Sequence, residues 1–186
     1  MVTSWNEPFY QYGALNGYFV LVQGEWYRLL TSLFLHSGAM HIVMNMLSLY
    51  IVGTVVERLF NASSYLGIYF IAAFFGSFVS MYVHPIGWAV GASGAIFGIF
   101  GALAGFAWVH RKRMQKEFME FMRSFGLILV INFVIGIVFP SIDMSAHIGG
   151  LIAGIVGGLL VALNPRYIWG YLSVSLVILI AFYHYL

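Results

Sequence analysis

Residues 146–163 read AHIGGLIAGIVGGLLVAL. These 18 positions hold no charged residue. As a helix they extend about 27 Å at 1.5 Å per residue, close to the ~30 Å hydrocarbon core of a bilayer. Gly150, Gly154 and Gly158 recur every fourth residue on one face, and such a stripe lets a second helix approach closely in lipid. A matching stripe, Gly94, Gly98, Gly101 and Gly105, runs through residues 92–109. The two runs are expected to pack on each other.

Four more apolar runs, at 39–56, 64–83, 122–139 and 168–184, have similar length. The whole chain is 62% hydrophobic with mean hydropathy +0.93, and only 8% of it is Asp, Glu, Lys or Arg. A soluble domain carries about 25% charged residues, so this chain lacks the side chains for a water-facing surface. The runs do not alternate as the strands of a β-barrel must, and backbone in lipid has to satisfy its own hydrogen bonds. The expected fold is all-α, a polytopic membrane helical bundle. A net charge of +2 concentrated in one loop speaks against nucleic-acid binding. The absence of Cys excludes disulfides and thiolate metal sites.

Arg111, Lys112, Arg113, Lys116 and Arg123 cluster between the third and fourth runs, which marks that loop as cytoplasmic. Alternation then places Glu57, Arg58 and Arg166 inside, and the loops at His84–Pro85 and Pro140–Asp143 outside. Residues 1–35 would be external, and either residues 9–22 do more than their weak hydrophobicity suggests or a helix precedes them. A helix upstream of Met1 is the expected explanation.

Three runs descend from outside to inside, and each has a polar group near its outer end. His41 lies 16 residues before Glu57, Ser93 lies 17 before His110, and His147 lies 17 before Asn164. These separations are about 24, 26 and 26 Å along a helix, so the three groups share one depth within the outer leaflet. Any one of them alone is readily an interfacial residue or a buried hydrogen-bond partner. Ionisable groups converging at one depth in a membrane point to function. Ser93 stands in GASG (91–94), where a glycine-bearing turn enters a helix. Such a serine serves as an ordinary N-cap, or exposes a hydroxyl beside unpaired helix N–H groups. His147 supplies a base for that hydroxyl. His41 and Asn45 share a helix face and are candidates to stabilise an oxyanion. His36, just outside that helix, is a candidate partner for loop backbone.

Four blocks together resemble the rhomboid family of intramembrane serine proteases, over about residues 24–164. They are GEWYR (24–28) with TSLFLHSGAMHIVMNML (31–47), VER (56–58), GASGAIFG (91–98) and AHIGGLIAG (146–154). The resemblance implies a Ser93 nucleophile with His147 as its general base. It implies an oxyanion site made by His41, Asn45 and the Ser93 backbone N–H, and a substrate site lined by Gly91 and Phe97. Structural roles are implied for Arg28, His36, Glu57, Arg58, Gly94, Gly98, Gly150 and Gly154. By the same resemblance, residues 1–35 are an external segment and outer loop, 36–164 the catalytic core, and 165–186 an additional transmembrane helix.

Two residues depart from the family pattern. Tyr27 replaces a frequent Trp before Arg28, and Phe97 stands where several members have a Tyr that packs on the base. Asp143, four residues before His147, invites a triad, but its loop position suggests contact with water and the family uses a dyad. Such an enzyme needs no cofactor or metal. Its partners are membrane lipid and transmembrane protein substrates, in a bacterial plasma membrane, with the site facing outward through a cavity shielded laterally from lipid. The rival readings are a metal site drawn from His36, His41, His147 and Asp143, and a catalytically silent adaptor that binds client helices.

Overall fold

The computed structural model describes residues 7–113, 115–138 and 142–186. The first six residues of the N-terminal segment, Met114, and residues 139–141 before Asp143 lie outside the described residues. Short helices α1 (Glu7–Gly13), α2 (Gly17–Leu21) and α3 (Arg28–Thr31) lead into a 3-10 turn at Ser32–Phe34. Long helices follow: α4 (Ala39–Glu57), α5 (Ala62–Val83), α6 (Ser93–His110), α7 (Gln115–Val138), α8 (Met144–Leu163) and α9 (Tyr167–Tyr185). All six are long and apolar enough to cross a membrane. Extended pairing among the described residues is limited to one antiparallel bridge, Leu15 with Ala89. The protein is an all-α polytopic membrane bundle.

Five of the six long helices begin and end within two residues of the apolar runs. Caps account for the small extensions. Asn61 accepts from the Ser64 N–H at 2.8 Å to start α5, and Asp143 accepts from the Ala146 N–H at 3.1 Å to start α8. Helix α7 is the exception. It starts at Gln115, seven residues ahead of the expected 122. Gln115, Lys116, Glu117 and Glu120 are strong helix formers, so the helix continues past the hydrocarbon, where hydropathy no longer marks it. Residues 9–22 form α1 and α2, seven and five residues long, far below the ~20 needed to span.

The two glycine stripes meet. A methyl group added at Gly150, Gly154 or Gly158 of α8 would overlap the carbonyl oxygens of Gly94, Gly98 or Ala102 on α6. From the other side, a Cβ at Gly105 would lie 2.6 Å from the Ile155 oxygen. The helices therefore touch backbone to backbone, with no side chain between them, which is how small residues hold helices together in lipid. Helix α5 packs on both, with Gly76 against the Ala146 carbonyl and Ala72 against Gly98. Helix α9 closes the other side of α5 and α8 through Ile168 and Tyr171, whose hydroxyl donates to the Ala153 carbonyl at 3.0 Å. Helix α4 lies against α6, and α7 is the most thinly packed helix of the six, held mainly through α6.

A side chain at the α6–α8 contact must force the helices apart. Gly154→Ala is expected to destabilise the detergent-solubilised protein by about 1–3 kcal/mol or more. Gly170, with open space where its Cβ would be, should accept Ala within about 1 kcal/mol of the parent stability. Unfolding by heat or denaturing detergent measures both, and equal stability of the two variants would contradict the contact.

Candidate functional site

The α6–α8 contact sets the N-terminal ends of these helices side by side. Ser93 is the first residue of α6, and His147 lies in the first turn of α8. The Ser93 Oγ and the His147 Nε2 are 2.8 Å apart. Phe97, one turn below Ser93, stacks on the imidazole with centroids 4.3 Å apart and planes 12° from parallel. His147 is only 6% exposed, so the ring is held by the stack and the hydroxyl together. An imidazole nitrogen at this distance can take a hydroxyl proton. In a neutral ring that accepts at Nε2, the hydrogen resides on Nδ1. The His147 Nδ1 is buried and has no hydrogen-bond partner among the described residues.

Asp143 does not supply that partner. Its carboxylate accepts from the Ala146 N–H, from the Ser145 hydroxyl and from the Ser80 hydroxyl of α5. It is partly buried rather than set in water as its loop position suggested. Its three accepted bonds cap α8 and grip α5, and none comes from the His147 Nδ1.

Helix α4 brings two more groups to the same place. The His41 Nδ1 accepts from the Ser37 N–H at 3.3 Å and lies 3.0 Å from the Ser37 Oγ. With Nδ1 accepting, a neutral His41 carries its hydrogen on Nε2, and that atom faces Gly91. Asn45, buried, directs one amide hydrogen to the His41 carbonyl at 3.0 Å, leaving the other free. Gly91 has φ +117°, a conformation that side chains rarely adopt. A Cβ there would stand 2.8 Å from the His41 Nε2 and 3.6 Å from the Asn45 Nδ2. Two N–H donors thus converge on space that stays open because residue 91 is glycine. The Ser93 N–H, at the start of a helix, has no intrahelical partner and adds a third donor next to it.

These groups line a cavity of about 590 Å³. Met44, Ser48 and Ile51 of α4 form one wall, and Ile128, Asn132 and Ile135 of α7 form another. Lateral shielding was expected, but α4 and α7 scarcely pack on each other. The barrier to lipid on that side is made of individual side chains rather than interlocked helices. A second, apolar cavity of about 310 Å³ lies behind His147, between α7 and α8.

The remaining predicted residues lie further out. The His36 ring meets the His41 ring edge to face at 5.0 Å. Neither His36 nitrogen makes a full hydrogen bond among the described residues, although the Phe34 loop backbone lies close enough to favour its charged form. Burial holds its pKa below the ordinary histidine range, opposed by the Phe34 backbone. Arg28 is 2% exposed. It pairs with Glu25 at 2.6 Å, donates to the Ala14 and Gln11 carbonyls at 2.9 and 2.8 Å, and lies over Phe19. Glu57 and Arg58 end α4 at the far side, exposed and without an ion pair among the described residues. Sequence reasoning missed Ser37, Ser80 and Asn16. Only Asn16 carried a local signal, as a capping residue ahead of a short helix.

Known proteins resemble this chain over most of its length. The family model described as Rhomboid domain matches residues 23–164. Rhomboid protease GluP of Bacillus subtilis (strain 168) is 41% identical over 166 residues, covering 87% of this chain and 31% of that protein. RHOMBOID-like protein 1 of Arabidopsis thaliana is 34% identical over 155 residues, covering 83% of this chain and 39% of that protein. Putative rhomboid protease YdcA of Bacillus subtilis is 28% identical over 135 residues, covering 72% and 66%. The chain therefore spans about a third to a half of the length of the first relatives it matches.

The bonds of Asp143 separate capping from catalysis. Asn caps nearly as well as Asp, whereas Ala costs about 1 kcal/mol. Asp143→Asn should therefore keep the parent stability and label at Ser93 with a fluorophosphonate within about tenfold of the parent rate. A loss of about 10⁴, as for the orienting aspartate of a triad, would show that Asp143 acts on His147 directly.

Proposed function

The chain belongs to the rhomboid family, and we propose that it is an intramembrane serine endopeptidase. The observation that carries this reading is the 2.8 Å contact between the Ser93 Oγ and the Nε2 of a buried His147. His147 takes the hydroxyl proton as Ser93 attacks the carbonyl carbon of a peptide bond. The negative charge that develops on the carbonyl oxygen goes to the space beside Gly91. There the His41 Nε2–H, the Asn45 Nδ2–H and the Ser93 backbone N–H donate to it. Donors aimed where charge develops, in a site with little water, are the largest common source of catalytic rate. Protonated His147 then gives its proton to the leaving amine. Water entering the cavity repeats the sequence on the ester, releasing the acid and restoring Ser93.

The membrane location of the site selects the substrate class. A scissile bond that reaches Ser93 through the side walled by α4 and α7 belongs to another transmembrane protein. A peptide in a helix has its carbonyl engaged and its carbonyl carbon screened, so the substrate must unwind locally. Helix-weakening residues near the cut should matter more than an extended side-chain motif. The basic cluster at residues 111–123 supports a cytoplasmic position for the opposite ends of α6 and α7; on this reading the dyad faces the outer side of a bacterial plasma membrane. The chain acts without a cofactor or metal.

Ser93→Ala is expected to abolish cleavage of a co-reconstituted transmembrane substrate while the protein keeps its melting transition. His41→Ala should lower kcat by about 10²–10³, the usual effect of removing one oxyanion donor. Undiminished cleavage by Ser93→Ala would exclude this mechanism. Binding of client helices without cleavage by the parent protein would identify it as an adaptor.

A further inference from the structure

The loop between α5 and α6 carries Gly91 and delivers Ser93, yet it is held chiefly by residues from a different part of the chain. The Leu15 N–H donates to the Ala89 carbonyl at 2.9 Å, and the Ala89 N–H returns a bond to the Leu15 carbonyl at 3.0 Å. Further along the loop, the Gly91 N–H donates to the Ser32 carbonyl at 2.9 Å. Before the bridge, the Asn16 Nδ2 donates to the Ile86 carbonyl at 3.0 Å and to the Gly87 carbonyl at 3.3 Å. Gly17 sits against the Pro85 carbonyl, where any side chain would collide. The Phe19 and Trp88 rings meet at 5.5 Å.

Asn16 is the side chain on which this clamp turns. It is 4% exposed, and both ends of its carboxamide are used. The Oδ1 accepts from the Tyr18 and Phe19 N–H groups at 3.1 and 3.4 Å, which caps α2. The Nδ2 reaches across to a loop 70 residues away in sequence. A residue that merely caps needs an acceptor alone, as Ser, Thr and Asp provide. The donor half has no role in capping. Arg28 holds this segment from behind through the Ala14 and Gln11 carbonyls, and the Thr31 hydroxyl bonds the Gly13 carbonyl at 2.8 Å. The segment is thus braced on one side and presents Asn16 to the loop on the other.

We propose that Asn16 is a positioning residue for the reaction: its Nδ2–H groups fix residues 86–87 and thereby seat Gly91 and Ser93 against His41, Asn45 and His147. This inference rests on the protease reading above. Displacing a reacting group by about 1 Å can cost about a hundredfold in rate, whereas the substrate's transmembrane helix contacts other parts of the bundle. Loss of the clamp should therefore fall on kcat rather than KM.

The capping and clamping halves of Asn16 can be separated. Asn16→Asp is isosteric and keeps the α2 cap but turns an acceptor toward the two loop carbonyls. Asn16→Ser keeps a neutral cap and is too short to span to the loop. Both are compared with the parent protein in proteoliposomes for kcat, KM and the rate of fluorophosphonate labelling at Ser93. The expected result is a fall of about ten- to a hundredfold in kcat and in labelling rate, with KM within about twofold. Hydrogen exchange should quicken in residues 86–92, and Asn16→Ser should keep the parent melting transition. Parent-like kcat and labelling in both variants would overturn the proposal and leave Asn16 a simple cap. A parent protein that neither cleaves nor labels would instead defeat the protease reading. If Asn16→Asp does not fold, Asn16→Ser decides the question alone.

Discussion

Backbone contact between α6 and α8 is the constraint on which the rest of the structure depends. Gly150, Gly154 and Gly158 leave no room for even a methyl group against Gly94, Gly98 and Ala102. In lipid, apolar side chains gain little by leaving solvent for each other, so close packing and direct backbone contact must hold the helices. Rigid registration along that contact holds Ser93 and His147, at the N-terminal ends of the two helices, 2.8 Å apart. Helix α5 reinforces the register from a third side through Gly76 and Ala72. Moving either helix by one residue would separate the hydroxyl from the ring.

Polar groups at membrane depth are costly, and here most are bound into something. Asp143 joins the start of α8 to α5 through Ser80. Ser37 sets the tautomer of His41, and Asn45 leans on the same helical turn. Arg28, buried almost completely, is neutralised by Glu25 and spends its other N–H groups on backbone. The exceptions among the described residues are the Ser64 hydroxyl, both His36 ring nitrogens and, beside Ser93, the His147 Nδ1, all buried without a partner. A base held by stacking on Phe97 rather than by a third polar residue is consistent with a two-residue apparatus. In contrast to this well-braced core, α7 is thinly packed and walls the cavity. The same scaffold therefore combines a firmly braced polar cluster with one thinly packed side.

Much of this arrangement could be read before any coordinates, for local reasons. Runs of apolar residues and glycines at spacings of three and four report helices and their contact faces directly. Residue counting to the polar helix ends put Ser93, His41 and His147 at one depth, because helix rise is constant. What could not be read depends on partners distant in sequence. The Asn16 carboxamide meets carbonyls 70 residues on, and the Ser80 hydroxyl meets Asp143 63 residues on. Neither pairing leaves a pattern in its own segment. Helix α7 extended further than its hydropathy because helix propensity persists where lipid ends. Asp143 looked solvent-facing because a loop position says nothing about the helix packed beside it.

The central claim is that Ser93, activated by His147, carries the acyl group of a cleaved transmembrane substrate. The most direct measurement is acid quenching of proteoliposomes early in turnover, followed by mass mapping of peptides from the protease. The N-terminal substrate fragment should be found esterified to Ser93, with no ester in His147→Ala. Cleavage with the ester on another residue, or cleavage that continues after Ser93 is chemically blocked, would contradict it.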